Sequence, residues 1–151
     1  MNAKVLIPII GIFVIAGGAF LLFNGGREET SIPQGEEVSL EEYTPETLAS
    51  FKGKPVIANS WAVWCPFCKE ELPDFAQIQS ELKDEVTIIA IDRAESKKTV
   101  TEFTDSLNIT SKLIFLLDDK DSFYQSIGGF TMPETLFINK DGEIVDQKRG
   151  F

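Results

Sequence analysis

The chain has 151 residues, 43% hydrophobic and 25% charged, which is enough for one domain built around a single core. Its 24 acidic residues outweigh 14 basic ones, for a formal net charge of −10. No basic stripe is therefore available to neutralise nucleic-acid phosphates, and an anionic lipid surface is a poor docking site.

At the N-terminus, Lys4 is followed by an uncharged run from Val5 to Phe23. A helix of about 19 residues rises about 28 Å, close to the hydrocarbon thickness of a bilayer. Residues 1–23 are therefore expected to form an N-terminal transmembrane anchor. The small residues from Ala16 to Ala19 also fit a cleaved secretory signal, but the apolar run continues past them to Phe23. No cysteine lies near this segment for lipid modification. Lys4 and the amino group favour a cytoplasmic N-terminus, with Arg27 counting against it. The soluble part then faces the extracytoplasmic side, where cysteine pairs meet oxidants. Residues 24–37 (NGGREETSIPQGEE) read as a flexible linker, and residues 38–151 as the folded domain.

Within that domain helix and strand signals alternate. Pro45–Lys52 reads as a short helix closed by Gly53, Pro55–Trp61 as a buried strand, and Cys65–Lys83 as a helix that Pro73 should kink. Val86–Asp92 is a second apolar strand, and Ser96–Leu107 a helix with Val100, Phe103 and Leu107 on one stripe. Leu113–Leu117 (strand), Asp121–Ile127 (helix) and Thr135–Asn139 (strand) follow. Lys140-Asp141-Gly142 is a hairpin turn leading into a returning strand over Glu143–Lys148. Strands alternating with helices imply an α/β, three-layer sandwich with a mixed, mostly parallel sheet. The sequence reaches Phe151 directly after the hairpin. One sheet face is then short of a covering element, which suggests truncation before a final helix.

The only cysteines, Cys65 and Cys68, have C-x-x-C spacing, and the chain has no histidine. Such spacing serves a metal half-site, a structural disulfide or a redox centre. A zinc site in one chain would need two carboxylates besides the two thiolates, or dimerisation. A structural bridge closing so small a loop restrains the unfolded chain very little. Redox chemistry fits best. Pro66 favours the first helical position, which places the Cys65 sulfur at a helix N-terminus where a thiolate is stabilised. Cys65 is the candidate nucleophile, and Cys68, one turn on, resolves the mixed disulfide.

Cys68, Leu72, Phe75, Gln79 and Leu82 share the helix face expected to pack on the sheet, with Glu71 at its edge. Glu71 is either an exposed helix glutamate or a partly buried acid exchanging protons with Cys68. Phe67 is either plain exposed surface or a substrate contact. Trp61 and Trp64 read as packing, with Trp64 shielding the disulfide. Asp118-Asp119-Lys120-Asp121 lacks the spaced acids of a calcium loop and reads as a turn capping the next helix. Gly128 and Gly129 read as loop.

The stretch from Trp64 to Pro73, WCPFCKEELP, resembles the active site of the thioredoxin superfamily, and more narrowly the membrane-anchored TlpA/ResA/DsbE group. Trp61, the run Glu95-Ser96-Lys97 and the run Met132-Pro133-Glu134-Thr135 add to the resemblance, which covers about residues 38–151. It implies a thioredoxin-like fold with a helix-and-strand insertion over about residues 93–117. It implies catalytic roles for Cys65, Cys68 and Glu71, and a cis peptide before Pro133. Substrate would contact Met132 and Pro133, with Trp64, Pro66 and Phe67 around the cysteines. Asn59 stands where thioredoxins carry a buried aspartate, leaving Glu71 as the proton acceptor.

The function so implied is an extracytoplasmic thiol–disulfide oxidoreductase that reduces protein disulfides, with apocytochrome c maturation as one setting. A disulfide-introducing oxidase and a redox-inert binding or chaperone module are the alternatives. A peroxidase is disfavoured by the lack of a further cysteine. The expected partners are protein thiol or disulfide substrates, a membrane dithiol donor and the membrane itself, with no nucleic acid. The chain is expected to be monomeric and to use no cofactor beyond the Cys65–Cys68 disulfide.

Overall fold

The structure is a computed structural model that describes residues 40–151. The expected anchor (1–23) and linker (24–37) lie outside the described residues. None of the described helices is long and apolar enough to cross a membrane.

Six strands form one sheet: β1 (Glu41–Glu42), β2 (Val56–Trp61), β3 (Thr87–Arg93), β4 (Ile114–Asp118), β5 (Glu134–Ile138) and β6 (Ile144–Arg149). Their order is β1-β4-β3-β2-β5-β6. The first four are mutually parallel, and β5 and β6 close the sheet antiparallel. Helices α1 (Pro45–Ala49), α2 (Pro66–Leu82), α3 (Lys97–Ser106) and α4 (Ser122–Ser126) cover it. The fold is the thioredoxin-like mixed α/β sandwich that the sequence implied.

Strand periodicity divides the core in two. Trp61, Ile88, Ala90, Phe115 and Leu117 point to one face, where α2 brings Leu72, Phe75 and Ala76 and α3 brings Val100. Alternate residues Val56, Ala58, Ile89, Ile91, Leu116, Leu136 and Ile138 point to the other, where Phe123 of α4 packs edge-on against Tyr43. Two successive parallel crossovers, β2-α2-β3 and β3-α3-β4, turn in the same hand, so α2 and α3 share a face. Strands β2 and β3 are covered on both sides, which is why they read as near-continuous apolar runs.

Several boundaries differ from the sequence reading. α1 ends at Ala49 instead of Lys52, because the next amides reach back only three residues, Phe51 to Leu48 and Lys52 to Ala49. The two-residue β1, which carries no periodic signal, was not expected; it exists by pairing with Leu116 and Leu117 of β4. Helix α2 continues through Pro73, whose side chain faces solvent. The packing face of α2 holds at Cys68, Leu72 and Phe75 but fails at Leu82, which is exposed because the chain turns at Lys83 with positive φ. Gln79 lies where expected but acts as a polar tie. Its side chain donates to the Lys83 and Val86 carbonyls and accepts from the Ile88 amide.

The α2/α3 face depends on Phe115, which is buried with its ring 5.8 Å from that of Trp61. Phe115→Ala is expected to lower the unfolding free energy by about 3–5 kcal/mol, measured by urea denaturation.

Candidate active site

Strand β2 delivers the site. Its last residue, Trp61, is fully buried against Phe103 and Phe115, and the chain then turns sharply: the Cys65 amide donates to the Ala62 carbonyl at 3.1 Å. Cys65 is the N-cap of α2, with extended backbone (φ −85°, ψ 112°), and Pro66 opens the helix. The Cys68 amide donates to Cys65 Sγ at 3.2 Å, so the sulfur takes the place of a capping oxygen on an otherwise orphan N–H. The two cysteines form a disulfide with Cα atoms 5.3 Å apart. Cys65 is only 2% exposed and Cys68 is fully buried.

The rim above the disulfide is aromatic. Trp64 is 60% exposed and Phe67 is 53% exposed, and the Phe67 ring stacks on that of Phe151 at 5.9 Å. Pro66 is also exposed. The Met132–Pro133 peptide is cis. Pro133 is buried and its carbonyl accepts from the Gly150 amide at 2.8 Å, whereas Met132 is half-buried and packs on the α2/α3 core. Glu134, fully buried, receives the Phe130 and Thr131 amides at 3.1 and 3.4 Å and so holds the loop that leads into Met132. Arg149 and Gln147 of β6 reach the same carboxylate. The Tyr124 hydroxyl supports that loop from the other side, donating to the Thr131 carbonyl, while Arg93 stacks on the Tyr124 ring.

Beneath the helix, Asn59, Thr135 and Lys148 stand side by side on β2, β5 and β6 as cross-strand neighbours facing α2. Glu71 descends onto this row. Asn59 Nδ2 donates to Glu71 Oε2 at 2.9 Å and to Thr135 Oγ1 at 3.0 Å, and Lys148 Nζ lies 3.7 Å from Glu71 Oε1. Glu71 is thus buried and partnered, not the free surface glutamate that Glu70 is. Burial pushes its carboxyl above the ordinary value, against the downward pull of Lys148 and the Asn59 hydrogen bond.

A pair of carboxyls lies under the turn that precedes Cys65. Asp92 pairs with Trp61 across β2 and β3 and is fully buried, with one oxygen accepting from the Glu95 amide at 2.9 Å. Glu95 Oε2 accepts from the Val63 amide at 2.6 Å. Burial and a side-chain hydrogen bond to Glu95 push the Asp92 pKa up to about 8.

Of the residues named from the sequence, Cys65 and Cys68 form the disulfide at the start of α2, Glu71 lies buried on the same helix, and Met132 and Pro133 flank the cis peptide before β5. Sequence reasoning missed Lys148 as a partner of Glu71 and Thr135 as the partner of Asn59, because only strand register brings them together. It noted Glu95 as part of a motif but gave it no role, and gave Asp92 none at all. Among the described residues no cluster of three or more His, Cys, Asp or Glu is placed to hold a metal ion.

The profile of the Redoxin family matches residues 27–151. The chain belongs to the Redoxin family. Within it, the chain is 30% identical to the thiol-disulfide oxidoreductase ResA of Halalkalibacterium halodurans, over 95% of this chain and 84% of the relative. It is also 30% identical to the thiol:disulfide interchange protein DsbE of Vibrio cholerae, over 95% and 84% respectively. The crystal structure of the exposed lipoprotein thioredoxin of Streptococcus pneumoniae superposes with a TM-score of 0.62 at 28% identity, covering 69% of this chain and 80% of that one. This Redoxin member is a thiol–disulfide oxidoreductase of the ResA/DsbE-like group.

Two measurements follow from the carboxyls. Lys148→Met is expected to raise the Glu71 pKa further, read from a carboxyl NMR titration of the oxidised protein. The folded pKa of Asp92, about 8, lies above its ordinary 3.8. Its stabilising contribution is therefore whole below about pH 4 and is lost as pH rises through about 8. Asp92→Asn should flatten the fall in stability between those limits, measured by urea unfolding at pH 5 and pH 9.

Proposed function

We propose that this oxidoreductase reduces disulfides in proteins on the extracytoplasmic side of a membrane, to which residues 1–23 tether it. The observation that carries the proposal is the seating of Cys65 as the N-cap of α2, its sulfur receiving the Cys68 amide at 3.2 Å. Partial positive charge at a helix start favours thiolate over thiol, and the thiolate is the attacking species.

In the reduced enzyme, Cys65 thiolate attacks one sulfur of a substrate disulfide. A Cys65–substrate disulfide forms and the other substrate sulfur leaves as a thiolate. Cys68 gives its proton to the Glu71 carboxylate, three residues along the same helix face, and attacks Cys65 Sγ. The second substrate sulfur then leaves, the substrate having gained two electrons and the cysteine pair having lost them. A membrane dithiol donor reverses the change in the enzyme by becoming a disulfide itself.

A raised Glu71 pKa suits the proton transfer, since a carboxyl nearer neutrality both takes and returns a proton. The Met132 backbone makes no hydrogen bond among the described residues and adjoins the start of β5, which suits strand-like pairing with an extended substrate. Trp64, Pro66 and Phe67 would supply the apolar contact around the sulfur. The reductive direction is supported by Pro66-Phe67, which lacks the histidine associated with strong oxidants. The extracytoplasmic placement is supported by the apolar run from Val5 to Phe23 and by the likeness to a pneumococcal exposed lipoprotein. Pro133-Glu134-Thr135, which resembles the cytochrome-maturation members of the group, supports apocytochrome c as a substrate.

In the full chain, Cys65→Ser is expected to abolish turnover, and Cys68→Ser to accumulate mixed disulfides through Cys65, read by non-reducing electrophoresis and mass spectrometry. A Cys68→Ser protein that traps nothing would sink the mechanism. The midpoint potential of the pair should lie nearer about −270 mV than about −120 mV, and a value at the upper end would assign an oxidase instead.

A further inference from the structure

Glu95 is joined to the site by one bond, the Val63 amide donating to Glu95 Oε2 at 2.6 Å. Val63 is the middle of the connection between Trp61, the end of β2, and Cys65, the cap of α2. That connection has few other restraints: the Cys65 amide donates to the Ala62 carbonyl, and Trp61 is locked in the core. Glu95 itself is held. It directly precedes Ser96, the N-cap of α3, and its own amide donates to buried Asp92 at 2.9 Å. Asp92 is opposite Trp61 in the β2/β3 register, so the tie runs from β3 through two acidic side chains to the segment that β2 feeds into the helix.

We infer that Glu95, backed by Asp92, is a positioning residue that fixes the 62–64 segment and thereby the attitude of Cys65 on the first turn of α2. A merely stabilising surface contact would not need a fully buried acid behind it. Asp92 anchors Glu95 by accepting from its amide, and the Glu95 side chain in turn accepts from the Val63 amide, so two successive hydrogen bonds run from β3 to the 62–64 segment. When the disulfide is broken, this tie keeps the amides of the first turn of α2 aimed at the Cys65 sulfur. The inference rests on the proposed role of Cys65 only in the choice of one of its two readouts.

The test compares Glu95→Gln with Glu95→Ala in the full chain. Both variants lack the charge; only glutamine keeps an oxygen that accepts from Val63. In the reduced proteins, the pH midpoint of Cys65 alkylation by iodoacetamide reports thiolate stability. The Val63 amide proton shift and its hydrogen-exchange rate report the tie itself. Glu95→Gln should keep Val63 protected and alkylate at pH 7 within about twofold of wild type. Glu95→Ala should lose that protection, move the Cys65 midpoint upward and alkylate at least about fivefold more slowly than Glu95→Gln, while remaining folded. Equal midpoints and rates in the two variants overturn the inference, and so does a change confined to melting temperature. If the wild-type thiol shows no lowered midpoint, the assignment of Cys65 as nucleophile fails. Loss of Val63 protection in alanine alone then still decides whether Glu95 holds the segment.

Discussion

The site hangs on how β2 passes into α2. Strand β2 is the only one in the sheet with a parallel neighbour on one side and an antiparallel neighbour on the other, and it is buried on both faces. Its end is therefore fixed in all directions before the chain turns, and Pro66 then starts a helix at once. Cys65 is the last residue of the short 62–65 connection between a rigid strand end and a rigid helix start. A thiolate there meets N–H groups that are already aimed and need no reorganisation to receive charge.

Around that junction the protein keeps carboxyls in unusual company. A chain with a formal charge of −10 nevertheless buries Glu71, Asp92 and Glu134, each with a distinct set of partners. Glu71 has an amide and a lysine; Asp92 has a backbone donor and a second acid; Glu134 has two loop amides and an arginine. Burying an acid raises the cost of its charge, and each set offsets that cost to a different degree. Of the three, only Glu71 lies on the helix that carries the cysteines.

The helices and central strands were legible because burial imposes a period on them. VTIIAID reads as a strand since both its faces are covered, and Val100, Phe103 and Leu107 repeat as one face of α3 must. The cysteine pair was legible because Pro66 and the spacing describe a helix start directly. The Asn59–Thr135–Lys148 row was not, because residues 76 positions apart become neighbours only through register. The role of Glu95 was equally hidden: its partner is a backbone amide, and an amide carries no residue-specific mark. Leu82 misled because a helical stripe says nothing about where the helix overruns the sheet.

Strand β6 lies at the sheet edge, yet it touches both halves of the site. Lys148 reaches Glu71, Gln147 and Arg149 reach Glu134, and Gly150 bonds the Pro133 carbonyl. The pairing with β5 contains an irregularity between Phe137 and Ile138, and everything beyond it toward Arg149 is set by that extra residue. Side chains alternate strictly along a strand, so losing the bulge would slide the remainder by one place and invert it. The lysine would then turn its back on the helix, and an arginine or glutamine would arrive in its stead. An inserted residue far from any sulfur thus sets which cation the acid of the active-site helix meets.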